Sequence, residues 1–483
     1  MSEETLDPGD WSAFRSQAHR MLDDMLDFTQ NIRERPVWQP IPQAIRDTFR
    51  EPLPQEPSDL ALVHERFMRD ILPYSAGNAH PGFMGWVNGG GTPVGMLAEM
   101  LAAGLNTNLG GRDQIPIEVE RQLVQWVRDI FGFPQGASGL LVTGTSIANL
   151  IAILVARTAR LGIGVRQTGL AHAGATLVGY TSSAAHLCIA KAIDIAGIGR
   201  EALRIIGVDG MGQMDLVALK AAIARDRAAG LTPFFLAGTA GTVDIGAVDD
   251  LTALADIAQA EQLWFHVDGA YGALAMLSPA LAPRLAGIER ADSIAFDFHK
   301  WGQVPYDAGF ILVRDGAAHQ STFDFPAAYL RREVRGLAAG SPWPCDLGPD
   351  LSRGFRALKT WVTIQVYGAR KLGQMIAQTC AVAQYLKRCI EQEPRLELLA
   401  PVSLNIVCFR FRGENPDELN RRIAVELQES GIAAPSTTIV DGAIAIRAAI
   451  VNHRTGFTDI DALIAATLAF GQRVREDMDR GVD

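Results

Sequence analysis

The chain has 483 residues, a formal net charge of −10 and a hydrophobic content of 48%, and that length calls for two or three lobes rather than one small core. Acids and bases are interspersed, which argues against nucleic acid or an anionic membrane as a partner. The five cysteines, Cys188, Cys345, Cys380, Cys389 and Cys408, lack C-x-x-C spacing, so neither a disulfide framework nor a metal site is indicated, and thiols in a reducing cytoplasm are the simplest reading.

In chain order, the acidic start MSEETLDPGDW has no apolar leader character. A helix is predicted over 11–33 from the apolar spacing of Phe14, Ala18, Met21, Leu22 and Met25. Prolines between Pro36 and Pro57 then forbid long helices, and this arm is expected to run extended against another surface, as in subunit packing. Apolar runs such as 140–142 and 151–155 fall well short of the roughly 20 residues that span a bilayer.

From residue 139 to 313, short β-rich runs alternate with helical ones, the pattern of a parallel sheet wound with crossover helices. Strands are predicted at 139–142, 175–180, 203–208, 233–237, 263–267, 293–296 and 309–313, and helices at 146–161, 216–229 and 250–261. A long helical stretch over 358–393 leads into strands at 404–411 and 443–450 and helices at 416–430 and 458–475, the makings of a smaller α+β lobe.

The chemistry concentrates at two predicted strand ends. One strand closes on His266-Val267-Asp268, the next on Asp297-Phe298-His299-Lys300-Trp301. A lysine amine can hold an aldehyde as a Schiff base, and a carboxylate facing a pyridine nitrogen keeps it protonated, so the pair points to pyridoxal phosphate. The spacing fits one strand, one connecting helix and the next strand, with both side chains at carboxyl ends, where open α/β sheets bind ligands. Taken singly, such an Asp is a turn residue and such a Lys a solvated one. Company changes the reading. Val142-Thr143-Gly144-Thr145-Ser146 closes a strand and opens a helix, an anion site if it is more than an ordinary cap. His186 follows a strand and offers a flat ring to stack on the pyridine, opposite small Ala270, while Thr239 in a strand-exit turn can bond a ring substituent.

These pieces, with Arg35-Pro36-Val37, His80-Pro81-Gly82-Phe83, Glu118-Val119-Glu120, Ala357-Leu358-Lys359-Thr360-Trp361 and Arg447, resemble the pyridoxal-phosphate group II decarboxylases over nearly the whole chain, most closely the aromatic-L-amino-acid enzymes. The resemblance implies the aspartate-aminotransferase fold (fold type I): an α/β domain with a mostly parallel seven-stranded sheet and helices on both faces, then a smaller C-terminal α+β domain. It implies a homodimer with shared sites, divided here into an arm at 1–75, a cofactor domain at 76–350 and a small domain at 351–483. Lys300 becomes the Schiff-base lysine, Asp268 the pyridinium partner and His186 the stacking residue; Thr145, Ser146 and His299 hold phosphate. His80, Phe83, Trp86 and Arg447 line the substrate site. Tyr329 falls where aromatic decarboxylases carry a loop tyrosine that reaches the partner subunit and donates a proton after CO2 leaves; phenylalanine there goes with aldehyde-forming relatives.

Decarboxylation of an aromatic L-amino acid to its amine is therefore the expected reaction, in the cytoplasm, with an aldehyde synthase or carbon–carbon lyase as the nearer alternative and a catalytically silent cofactor-binding protein as the remote one. Trp86 replaces a pocket glutamine of glutamate decarboxylases, which argues against an acidic side chain on the substrate. The stretch 105–112 lacks the aromatic and aliphatic residues that aromatic decarboxylases place before Ser-Pro-Ala, here Ile115-Pro116-Ile117. Asp297, where many relatives have asparagine, adds a negative charge that needs a compensating donor.

Overall fold

A computed structural model describes residues 5–325 and 331–480. Among them, twelve strands fall into two sheets. In chain order they are β1 (Phe83–Met84), β2 (Ser138–Val142), β3 (Leu177–Ser182), β4 (Leu203–Ile206), β5 (Thr232–Thr239), β6 (Trp264–Asp268), β7 (Ser293–Asp297), β8 (Gly309–Val313), β9 (Leu396–Leu398), β10 (Ile406–Phe411), β11 (Ala434–Val440) and β12 (Ala443–Ala449).

The larger sheet has the order β2-β8-β7-β6-β5-β3-β4. Its β7, β6, β5, β3 and β4 pair in parallel, and β8 runs antiparallel between β2 and β7. β5 reads Thr-Pro-Phe-Phe-Leu-Ala-Gly-Thr and is buried from its second residue on, as expected for a strand covered on both faces. The helix Thr145–Leu161 lies against this sheet with Ala148, Ile151, Ala152 and Val155 buried. All seven predicted strands are present, with ends displaced by up to a few residues; β3, β5, β6 and β7 run on into the small or polar residues Ser182, Thr239, Asp268 and Asp297.

The smaller sheet, β1-β11-β12-β10-β9, has its own core under the helices Pro416–Glu429 and Phe457–Asp479. β11 was not expected: Ala-Pro-Ser-Thr-Thr is too polar and carries a proline. The legible signal was its turn, Asp441-Gly442, where both residues have positive φ (47° and 81°), the requirement of a two-residue hairpin. The predicted helix 358–393 proves to be two segments within Arg356–Gln392, broken at Gly368 (φ 71°, ψ 150°), a conformation open to glycine. In the proline-rich arm the one helix is six residues long, Gln43–Thr48. No helix among the described residues is long and apolar enough to cross a membrane.

Candidate active site

Asp268 and Asp297 are the last residues of β6 and β7, parallel neighbours in the sheet. Thr239 ends β5 in register with Asp268. β2 ends at Val142, and Gly144 opens the helix Thr145–Leu161 with no side-chain cap. The backbone thus delivers four chain ends to one edge of the sheet.

Lys300 turns back so that its Nζ lies 2.9 Å from Asp297 Oδ2. Asp297 Oδ1 accepts the Thr145 backbone N–H at 2.7 Å, and His299 Nε2 stands 3.6 Å from Oδ2. The charge that sequence left uncompensated therefore meets an ammonium and a helix N-terminus, both of which favour an anion. His299 Nδ1 accepts the Ala308 N–H at 3.0 Å, which leaves the proton of the neutral ring on Nε2; burial lowers the pKa of this imidazole, with the charge of Asp297 opposing. The Thr145 hydroxyl is buried without a partner, and Ser146 beside it is exposed. An orphaned hydroxyl at a helix N-terminus suits a phosphate group.

Asp268 is 3% exposed. Its Oδ1 accepts the Ala270 N–H at 3.1 Å, and its Oδ2 accepts Asn149 Nδ2 at 3.0 Å, with Cys188 Sγ 3.6 Å away. Burial raises its pKa, opposed first by the charge of Lys300 and then by these donors. The Cys188 thiol is pushed up, chiefly by burial, so it remains a donor. His186 is exposed, and its Nδ1 accepts the Cys188 N–H at 3.3 Å. Ala270 is half-buried. The Thr239 N–H donates to Asp249 Oδ2 at 2.8 Å, and burial lifts that carboxyl to about 6.

A second group lies along residues 80–91. Phe83, buried in β1, stacks on Trp86 at 6.2 Å between centroids. Trp86 is 60% exposed and has φ 47°, a strained conformation for a bulky residue. Arg447 Nη1 holds its carbonyl at 3.1 Å. Other donors of this buried guanidinium go to Ser436 Oγ at 3.2 Å, Asp244 O at 3.1 Å and Val243 O, so Arg447 also holds the backbone of the Trp86 segment. His80 Nδ1 accepts the Gly82 N–H at 2.9 Å, and its Nε2 is buried without a partner. Gly89 joins the two groups: a Cβ there would lie 2.4 Å from the carbonyl oxygens of His299 and Lys300. Tyr329 lies outside the described residues.

Several residues of this architecture had no role in the sequence reading. Asn149 is one helical turn beyond Thr145 and shares its buried face, so the i, i+4 spacing was the available signal. His266 was read only as part of a motif. Gln303 accepts the Gly90 N–H at 3.0 Å and donates to Val451 O at 2.7 Å, locking the turn after Lys300.

The model of the pyridoxal-dependent decarboxylase conserved domain matches residues 42–412. The chain belongs to this family. Among its relatives, the aromatic-L-amino-acid decarboxylase of Bacillus atrophaeus is 30% identical over 473 residues, covering 95% of this chain and 96% of that protein. The phenylacetaldehyde synthase of Arabidopsis thaliana is 29% identical, covering 93% and 94%. The crystal structure of Oryza sativa TDC with PLP and tryptamine superposes with a TM-score of 0.88 at 24% identity, covering 98% of this chain and 100% of that one, which shows the common fold, PLP fold type I. This decarboxylase is a carboxy-lyase with pyridoxal 5'-phosphate as its cofactor, and the orphaned Thr145 hydroxyl at a helix N-terminus and a buried carboxylate met only by donors suit that molecule's phosphate and ring nitrogen.

Proposed function

We propose that this decarboxylase acts on an aromatic L-amino acid, releasing CO2 and the corresponding amine. The observation that carries the reading is the placement of Asp268 and Lys300 at the ends of adjacent parallel strands, beside the anion cradle at Thr145. Bound pyridoxal phosphate supplies an electron sink for the pair left on the substrate α-carbon when the bond to the carboxylate breaks. Lys300 is the attachment point. Asp268 would keep the ring nitrogen protonated, Thr145, Ser146 and His299 would hold the phosphate, His186 and Ala270 would hold the ring between them, and Thr239 would bond a ring substituent. What remains for the protein is to orient the substrate and deliver one proton to its α-carbon. The proton donor in this reading is Tyr329, contributed by the partner subunit.

The aromatic preference is supported by the Phe83–Trp86 stack, which offers an exposed indole three residues before Gly89, the residue that packs on the Lys300 carbonyl, and by the relatives named above. His80 and Arg447 support that wall. Shared sites require a homodimer, in keeping with the exposed apolar residues Leu97, Met100, Leu101 and Leu105 along the helix Pro93–Leu105. The same reading takes residues 1–75 as the dimer arm, 76–350 as the cofactor domain and 351–483 as the small domain of a cytoplasmic enzyme. Incubation of purified protein with tryptophan, tyrosine, phenylalanine, DOPA, histidine and glutamate, following CO2 and amine, tests it: CO2 from an aromatic substrate is expected, and none from any aromatic substrate overturns the assignment. The aldehyde-forming alternative, favoured by the synthase relative, requires peroxide and ammonia in the same assay.

A further inference from the structure

Behind Asp268 runs a line of fully polar contacts that the reaction does not itself use. Trp264 Nε1 is 2.8 Å from Ser293 Oγ. The same oxygen is 2.8 Å from His266 Nδ1, His266 Nε2 is 2.8 Å from Asn149 Oδ1, and Asn149 Nδ2 is 3.0 Å from Asp268 Oδ2. Asn149, His266 and Ser293 are completely buried. The fold supplies the alignment, since His266 and Ser293 are register partners across β6 and β7.

The direction of this line follows from donor chemistry. An indole N–H can only donate, so Ser293 Oγ accepts from Trp264 and its own hydrogen is free to point at His266 Nδ1. Burial drives the pKa of His266 down to about 3, so the ring is neutral and carries one proton, and an Asn149 carbonyl oxygen 2.8 Å from Nε2 calls for that proton on Nε2. The amide of Asn149 then presents its carbonyl to His266 and its NH2 to Asp268. Run backwards, the line would set the Asn149 carbonyl against the Asp268 carboxylate, which would then have to be protonated.

We propose that Asn149, His266 and Ser293 are positioning residues that fix the polarity of Asp268: anchored by the Trp264 indole, they offer it donors alone and so hold it as the unprotonated acceptor that the cofactor's ring nitrogen requires. This rests on Asp268 being the ring-nitrogen partner. Asp268 would otherwise be a buried carboxyl with a raised pKa, inclined to take up the proton it is meant to leave on the ring.

The test is titration of the cofactor-free protein with pyridoxal phosphate, reading the dissociation constant and the visible spectrum of the bound form, for wild type, Asp268→Asn, Asn149→Asp, His266→Leu, His266→Gln and Ser293→Ala. Asn149→Asp and His266→Leu are expected to weaken binding at least about tenfold, the scale of lost outer-layer support, and to move the spectrum in the direction of Asp268→Asn. His266→Gln, which restores an N–H toward Asn149, recovers most of the affinity. Wild-type affinity and spectrum in Asn149→Asp and His266→Leu, with Asp268→Asn altered, overturn the proposal. An unaltered Asp268→Asn overturns the reading of Asp268 itself. Should His266→Leu not fold, Ser293→Ala, which removes one buried oxygen, carries the same test: a smaller spectral shift in the same direction supports the proposal and an unchanged spectrum overturns it.

Discussion

The cofactor side and the substrate side of this site are built differently. Around Asp268 and Asp297 the polar groups are buried and paired on the body of a sheet, from Ala270 and Asn149 on one carboxylate to Thr145 and Lys300 on the other. Around Trp86 the surface is exposed, the backbone is strained, and the proposed proton donor belongs to a second copy of the chain. The contrast suggests a division of labour: reaction type is held in the rigid core, and substrate choice in segments that finish their packing elsewhere. Loops on a rigid scaffold commonly carry specificity in this way.

The largest expected effect lies on the cofactor side. Lys300→Ala should abolish the borohydride-stable attachment of cofactor and lower kcat/KM at least about a thousandfold, roughly 4 kcal/mol of lost barrier reduction; retained attachment would break the contrast at its strongest point. Next comes a buried strut between Leu109 and β2. Arg353 bonds Glu120 through both terminal nitrogens at 3.0 and 2.6 Å, bonds the carbonyls of Leu109 and Leu141, and is almost fully buried. Arg353→Ala would leave Glu120 buried without its countercharge, with the Leu141 N–H at 3.0 Å as its remaining partner, costing about 3 kcal/mol or more of stability in denaturant unfolding, and a change below about 1 kcal/mol would show that the strut is dispensable.

On the substrate side, Tyr329→Phe is expected to divert product from amine toward aldehyde with peroxide while cofactor affinity stays unchanged, and an unaltered product ratio counts against the loop role. Trp86→Ala should raise KM for aromatic substrates by about tenfold, the worth of one aromatic pairing, with little change in kcat or in cofactor binding. Equal losses for aromatic and non-aromatic substrates would mean that the indole shapes the backbone rather than the pocket.

The same contrast governs how much could be read before the fold was known. Asp268, Lys300 and Thr145 were legible because each closes or follows an apolar strand whose periodicity is unambiguous, and strand ends in an α/β sheet are where ligands go. The compensation of Asp297 was not, because it depends on a helix N-terminus brought alongside from β2, far away in sequence. His266 was visible as a letter in a motif, but its role required knowing that Ser293 sits beside it across the ladder. Arg447 is legible as a substrate-site residue, whereas the four donors by which it holds Trp86, Val243, Asp244 and Ser436 depend on the packed structure. The hairpin at Asp441-Gly442 was there to be read, whereas the break at Gly368 was masked by strong helical sequence on both sides.

Every role in the site depends on Lys300 being the residue that holds the cofactor. Reduction of the cofactor-loaded enzyme with borohydride, followed by peptide mass mapping, should find the pyridoxyl phosphate label on the peptide carrying Lys300 and on no other. A label on a different lysine, or none after loading, would contradict the site on which every other role depends.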